Sequence, residues 1–591
     1  MFTTRPEIAG TFGVVASTHW IASGVGMSVL ERGGNAFDAA AATAFTLQVA
    51  EPHLNGPGGD APIILHDART GTQVVICGQG VAPQAATLGK FRDLDIDLIP
   101  PTGLLPAVVP GAFDAWCLLL RDWGTWELAD VLAYAIGYAN QGIHIVPRIS
   151  ATIEGVRRLF EQEWTSSAAV FLPGGKVPEP GSLFARPVLG ATYERICREA
   201  VGKTREARID AARGAWYRGF VAETVDRFFR TTDVLDVTGR HHRGLLAADD
   251  FAGWSASVED PIAYDYAGHT VLKCGAWSQG PVFLQQLALL QGFDIGEMDP
   301  CGAAFVHLVV ECAKLAYADR EAFYGDPSFV SVPLGTLLSK DYNAARRTLI
   351  GPNASMDLRP GGVDGITPWV DHNAARRAGL VAAPGAGEPT VARLGVIGAD
   401  TCHIDVIDRH GNMVSATPSG GWLQSSPVIP ELGFCLGTRG QMFWLHDGLP
   451  NSLAPGKRPR TTLSPSFALR DGKPWMAFGT PGGEQQDQWA LSYFLRMVHH
   501  GMTIQHAIDA PSFHTEHWPS SFWPRAARPG KVVLEGRFDD AVGRDLAARG
   551  HLVSKGEDWS EGRLSGARIE PDGQLFAGAN PRGMQGYAVG R

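Results

Sequence analysis

The chain has 591 residues, 45% apolar and 19% charged, so it can bury a large core and is too apolar for intrinsic disorder. Fifty-one Lys and Arg against 61 Asp and Glu leave a formal charge of −10. The densest basic patch is the short Lys457-Arg458-Pro459-Arg460, which argues against a nucleic-acid footprint. No uninterrupted apolar run approaches the roughly 18 residues of a membrane helix. Met1 to Glu7 lacks the charged-then-apolar pattern of a secretory signal, so a cytoplasmic location is expected. Eight scattered cysteines, none at C-x-x-C spacing, fit buried thiols in a reducing compartment better than disulfides or zinc ligation.

The first predicted helix follows Gly33-Gly34-Asn35, with Asn35 as the cap, Asp38 beside the first-turn amides and an Ala-rich run suited to close packing. It ends at Glu51-Pro52, before the loop Asn55-Gly56-Pro57-Gly58-Gly59-Asp60. That loop lacks the Gly-Lys-Ser/Thr ending of a phosphate cradle. Ala61 to His66 and Gln73 to Cys77 read as a hairpin. From about Gly111 to Lys340 the pattern is mainly helical, with three-to-four spacing at Phe113–Trp123, Leu128–Gln141, Ala222–Phe229, Val282–Gly292 and Ala303–Tyr324. Residues 351–400 hold nine Gly and five Pro in fifty positions and read as an extended or mobile linker. A hairpin follows at Thr401–Asp408 and Met413–Thr417, turning at Arg409 to Asn412, then another at Ser466–Leu469 and Trp475–Phe478. A helix from about Gln486 to Gly501 and short strands at Val532–Leu534 and Ala567–Ile569 complete the reading.

The chemistry concentrates at Asp400-Thr401, where the linker meets a strand. Thr within a chain is a weak nucleophile. Freed by cleavage of the preceding bond, its own α-amine, with a pKa near ~7.7, can serve as the general base. The adjacent pairs His241-His242 and His499-His500 cannot easily converge on one metal from a helix or strand. Asp487 reads as a helix start rather than a substrate contact.

The stretch Asp400 to Asp408 with Gly411 to Ser415 resembles the processing site of the γ-glutamyltranspeptidase family. Gly33 to Ala40, Lys457-Arg458-Pro459 through Ser464-Pro465, and Gly479-Thr480-Pro481-Gly482-Gly483 resemble further blocks of that family, in family order across about residues 8 to 590. The resemblance implies an α/β fold, the four-layer α/β/β/α sandwich of the N-terminal nucleophile hydrolases. It implies self-cleavage between Asp400 and Thr401 into a large chain, 1–400 with the linker at its end, and a small chain, 401–591. The two chains would remain one αβ heterodimer, needing no cofactor, metal, nucleic acid or membrane. Thr401 would be the nucleophile, Ser419 its supporting hydroxyl, Gly482 and Gly483 the oxyanion donors, and Thr461 and Thr462 substrate contacts, with His403 structural and the loop at Asn55 near the nucleophile.

The resemblance breaks at the γ-glutamyl head group. The family's carboxylate-binding Arg is Gln79 here. Its acidic, ammonium-binding block reads Leu436-Gly437-Thr438-Arg439-Gly440-Gln441-Met442-Phe443, and the family's Asn after the supporting hydroxyl is Gly421. Gln79 cannot neutralise a carboxylate, whereas Arg439 can grip one and would repel an ammonium; the alternative for Arg439 is a surface Arg in a Gly-rich turn. The pocket formed with Gln441 is therefore expected to take a small acyl group carrying a carboxylate and no neighbouring ammonium, by amide hydrolysis or acyl transfer. The alternatives are C–C cleavage beside a 2-oxo acid in secondary metabolism, a true γ-glutamyltransferase or glutathione hydrolase, and a non-catalytic relative that never matures. Trp422 to Ser426 and Leu436 to Gly440 look more like divergent members, such as cephalosporin acylases and oxamate amidohydrolases, than like transpeptidases.

Overall fold

A computed structural model describes residues 2–371, 373–379 and 401–591, and two seven-stranded sheets organise them. In one sheet the order is Tyr587–Gly590, Gly13–Ser17, Ile404–Asp408, Met413–Ala416, Ala61–Asp67, Thr72–Gly78 and Ser257–Glu259. In the other it is Ile8–Gly10, Leu575–Ala579, Ser565–Ile569, Lys473–Gly479, Ser466–Arg470, His269–Lys273 and Ile262–Tyr266. All these neighbours pair antiparallel. Both sheets mix strands from before and after residue 400, so the segments 2–371 and 401–591 share one core.

Three apolar clusters account for the layering. One contains only strand residues and their flanks, such as Val14, Ile64, Leu272, Phe467 and Ala577 from the two sheets. A second packs the helices Trp20–Glu31, Ala36–Ala50 and Ala112–Trp123 on the first sheet through Val15, Ile63, Ile404 and Val414. A third packs the helices Pro281–Leu290, Ala303–Phe323 and Gln486–His500 on the second sheet through Val271, Ala468 and Phe478. Among the described residues, no helix is long and apolar enough to cross a membrane.

The helix Ala36–Ala50 shows why its sequence is so rich in alanine. Every residue in it is buried, and small side chains allow close approach on all sides. Asn35 accepts from the amides of Phe37 and Asp38, and Asp38 returns a bond from the Asn35 amide at 2.9 Å, closing a capping box.

Both strand-rich tracts after residue 400 contain the expected hairpins, at Ile404–Asp408 with Met413–Ala416 and at Ser466–Arg470 with Lys473–Gly479. The mainly helical reading of 111–340 missed three strands of the two large sheets, Ser257–Glu259, Ile262–Tyr266 and His269–Lys273. They are short and partly exposed, at the sheets' edge side, so their apolar period is weak. The linker reading also needs amendment at its start. Gly361 donates to the buried Asp319 at 2.7 Å and Arg359 to Glu311 at 3.2 Å, tying residues 351–371 to the long helix. Asp400 and residues 381–399 lie outside the described residues, as does the scissile bond expected at Asp400-Thr401.

Candidate active site

Thr401 lies three residues before the central strand Ile404–Asp408 and is only 2% exposed. Its Oγ1 donates to Ser419 Oγ at 3.1 Å, and the two residues form a β-bridge. Ser419 is bridged on its other side to Asp60, the amide of each donating to the carbonyl of the other, at 2.7 and 3.0 Å. The glycine loop before Asp60 is thereby sewn to the site. A Cβ on Gly59 would lie 2.2 Å from the Ser419 carbonyl oxygen, so only glycine permits this approach.

The strand expected from Thr401 begins only at Ile404, yet the two residues between them already face opposite sides. Cys402 faces the helix layer and donates to Glu51 at 2.9 Å. His403 faces the other sheet, fully buried between Thr417 Oγ1 and Asp405 Oδ1, each at 2.9 Å. A structural role for His403 accords with those contacts. Its ring packs where a Cβ on Gly479 would be, 2.4 Å from Cε1. The end of the strand Lys473–Gly479 thus abuts the start of the Thr401 segment, and Gly482 and Gly483 follow a few residues on.

Gly482 has φ +124, and a side chain there would meet the Trp489 ring at 3.2 Å. The peptide planes around it are clamped from behind. Gln486 Nε2 donates to the Gly482 carbonyl, while Gln486 Oε1 accepts from the Ser464 amide at 2.9 Å. Gln279 Nε2 donates to the Gly483 carbonyl at 3.3 Å. A planar peptide with its carbonyl held one way directs the following N–H the opposite way. Gln279 also takes the Thr461 carbonyl through its amide at 2.9 Å, joining buried Thr461 and Thr462 to the same loop.

Asp487 proves to be more than a helix start. It lies in the first turn of Gln486–His500, yet it is fully buried, 2.8 Å from Lys273 Nζ and accepting from Ser464 Oγ at 2.8 Å. Burial pulls the Lys273 ammonium down and pushes the Asp487 carboxyl up, each opposed by the other's charge.

Arg439 is not a surface residue. It lies 3% exposed in the turn Arg439–Met442, its Nε donating to Asp60 Oδ2 at 3.0 Å and its guanidinium 5.6 Å from the Trp422 ring. Gln79, 1% exposed, donates from Nε2 to Asp60 Oδ1 at 3.4 Å and to the Gly80 carbonyl at 3.2 Å. Burial raises the Asp60 carboxyl, and Arg439 draws it back down. Sequence reasoning gave Asp60 itself no role, reading it only as the end of the loop near Thr401. Gln441 is held by Thr438 and by the Trp523 amide, each at 3.2 Å.

A second missed residue is Glu321. Burial would raise its carboxyl, but Arg460, Arg320 and Arg525 hold it down at about 2. It also accepts from Trp444 Nε1 at 3.0 Å, while Arg525 grips the Met442 carbonyl at 2.9 Å. This hub braces the turn that carries Arg439. Neither Asp60 nor Glu321 stands in a motif that signals its partners. Elsewhere, His307, Glu311 and His551 bring ligand-type atoms within 4.8 Å of one another. Glu311 already pairs with Lys314 at 2.6 Å and Arg359 at 3.2 Å, and the two imidazoles bond each other at 2.8 Å. Two cations beside one carboxylate disfavour a third, and the group reads as a closed structural network.

The family model for gamma-glutamyltranspeptidase matches residues 22–590. The chain is 30% identical to the glutathione hydrolase-like YwrD proenzyme of Bacillus subtilis (strain 168), covering 99% of both chains. It is 32% identical to the acylase ACY 1 proenzyme of Pseudomonas sp. (strain SE83), over 97% of this chain and 93% of that one. Among solved structures, one titled "Structure of LmbA2991HD" is 56% identical over the whole of both chains with a TM-score of 0.94. The cephalosporin acylase from Bacillus halodurans is 27% identical, with a TM-score of 0.83 over 100% of this chain and 98% of that one. The chain belongs to the γ-glutamyltranspeptidase family of N-terminal nucleophile hydrolases, as a divergent member without the γ-glutamyl head-group residues.

Proposed function

We propose that this chain is a self-processing N-terminal threonine hydrolase, cleaving an amide of a small carboxylate-bearing acyl group, or transferring that group, through an acyl-enzyme. The observation that carries the proposal is the buried Thr401 hydroxyl donating to Ser419 at 3.1 Å, in a segment where a freed α-amine would sit beside its own hydroxyl. In the precursor, Thr401 Oγ1 attacks the Asp400 carbonyl, the acyl bond moves from nitrogen to oxygen, and water releases it. The products are a large chain, 1–400, and a small chain, 401–591, held together by the shared sheets in a four-layer α/β/β/α sandwich of the N-terminal nucleophile hydrolase type. Thr401 then attacks the substrate carbonyl, its α-amine taking the proton. The N–H groups of Gly482 and Gly483 receive the oxyanion.

The relatives' names divide between glutathione hydrolase-like and acylase proenzymes. The pocket favours the acylase side. Gln79 offers no charge to an α-carboxylate, and Arg439 stands in the block where the family binds an ammonium. The family resemblance adds Thr461 and Thr462 as substrate contacts, with Gln441 beside Arg439 in the same turn.

Mass spectrometry of the purified protein tests the processing step: chains ending at Asp400 and beginning at Thr401 are expected, and a single uncut chain from Thr401→Ala. An active wild type with the 400–401 bond intact would refute the scheme. Product analysis tests the reaction: amine or ammonia release is expected, whereas oxalate release from a 2-oxo acid would mark C–C cleavage instead.

A further inference from the structure

Two buried polar atoms flank Asp60 without a hydrogen-bond partner among the described residues, Arg439 Nη2 and Gln79 Oε1. Their identities follow from Asp60. Arg439 meets it through Nε alone, at 3.0 Å, which leaves the Nη2 end of the fork unused. Gln79 faces two acceptors, Asp60 Oδ1 and the Gly80 carbonyl, so its nitrogen must lie on that side and its oxygen on the other. The position is close to the chemistry. A Cβ on Gly420 would lie 3.5 Å from Asp60 Oδ2 and 3.7 Å from Arg439 Nη2, and Gly420 adjoins Ser419, which holds Thr401. Leaving two such atoms unmatched in a buried site is costly, and a ligand that matches both gains accordingly.

We propose that Asp60 is the specificity-positioning residue of this pocket, aiming Arg439 Nη2 as a cationic donor and Gln79 Oε1 as a neutral acceptor. The substrate's acyl group then carries a carboxylate for the first and a neighbouring neutral donor, a hydroxyl or amide N–H, for the second. The inference rests on Thr401 as the nucleophile. The Asp60 charge is compensated by Arg439 Nε and Gln79 Nε2. An ammonium in place of the neutral donor would therefore meet the Arg439 guanidinium without a free counter-charge.

The test uses the processed full-length enzyme with four p-nitroanilides of five-carbon acyl groups: pentanoyl, glutaryl, 2-hydroxyglutaryl attached at carbon 5, and γ-glutamyl. In the wild type, kcat/KM is expected to be highest for hydroxyglutaryl, about tenfold above glutaryl, with γ-glutamyl and pentanoyl lower. Asp60→Asn is expected to raise KM for the glutaryl anilide about tenfold with kcat within about twofold. Gln79→Leu is expected to bring the hydroxyglutaryl-to-glutaryl ratio to about one, and it reads the pocket even where the Asp60 variant fails to fold. An unchanged KM in Asp60→Asn, or an unchanged ratio in Gln79→Leu, overturns the assignment. So does a processed wild type that turns over pentanoyl as fast as glutaryl, and in that case Thr401 still stands. Turnover by a wild type that remains uncut at 400–401 overturns both readings.

Discussion

The two ends of the site are built in opposite ways. At the end proposed to hold the nucleophile, Thr401, Ser419, Gly482 and Gly483 are small and uncharged; sheet pairing aims the first two, and the peptide plane clamped by Gln486 aims the Gly483 N–H. At the pocket end, Asp60, Gln79 and Arg439 carry charge or amide groups on loops, and they are aimed by one another and by the arginine hub on Glu321. Backbone geometry of this kind tolerates little change, and only a few side chains hold it. A charge network can be re-aimed by one substitution, so acyl specificity can diverge while the nucleophile end stays the same.

The largest effect should come from Thr401→Ala, with processing abolished and turnover reduced by at least roughly 10⁴-fold, whereas Thr401→Ser retains slow processing. Denaturing electrophoresis and product release measure both. Next, Gly482→Ala must place a side chain at φ +124 against Trp489 and should lower kcat by about 10²–10³-fold, with the two chains still formed. If Gly482→Ala instead changed acyl preference, the division between the two ends would fail.

Arg439→Met leaves Asp60 buried without its cation and should cost about 3–5 kcal/mol of stability by denaturant unfolding. Pairing it with Asp60→Asn should recover part of that loss, because the double variant buries no isolated charge.

A smaller effect concerns what lies beneath the loop of Gly482 and Gly483. The His514 ring packs edge-on against Trp489 at 5.9 Å, and Trp489 in turn supports Gly482. Burial alone would lower the His514 imidazole, but Glu561 and Glu516 outweigh it and raise it to about 9. A folded-state value above the ordinary 6.5 means that protonated His514 stabilises the fold fully below 6.5. That contribution fades as pH rises from 6.5 through about 9. The melting temperature should fall across that window, and His514→Gln should flatten the fall. The smallest effect is expected for Gln486→Leu, about a tenfold loss in kcat at unchanged KM, since it loosens one carbonyl clamp and leaves the pocket intact.

Local pattern was legible wherever a residue's role depends on its neighbours in the chain. The Asn35–Asp38 cap, the hairpin turning at Arg409 to Asn412 and the glycine pair after the strand Lys473–Gly479 all follow from spacing and turn chemistry. So does the alternation that separates Cys402 from His403, whose side chains meet Glu51 and the opposite sheet. The short strands between Ser257 and Lys273 escaped because half-exposed segments of three to five residues carry too little period to stand against flanking helices.

The sequence alone determined that a hydroxyl nucleophile candidate shortly precedes a strand, that glycines follow another, and that the family's head-group charges are absent. Only the tertiary structure decided where the replacement charges lie. Asp60 and Arg439 are 379 positions apart, and Glu321 draws in Arg460 and Arg525 from two distant segments. Pairing of this kind is set by chain crossings at the end of the two sheets, and nothing in local spacing encodes it, because a buried charge takes whichever partner the fold delivers.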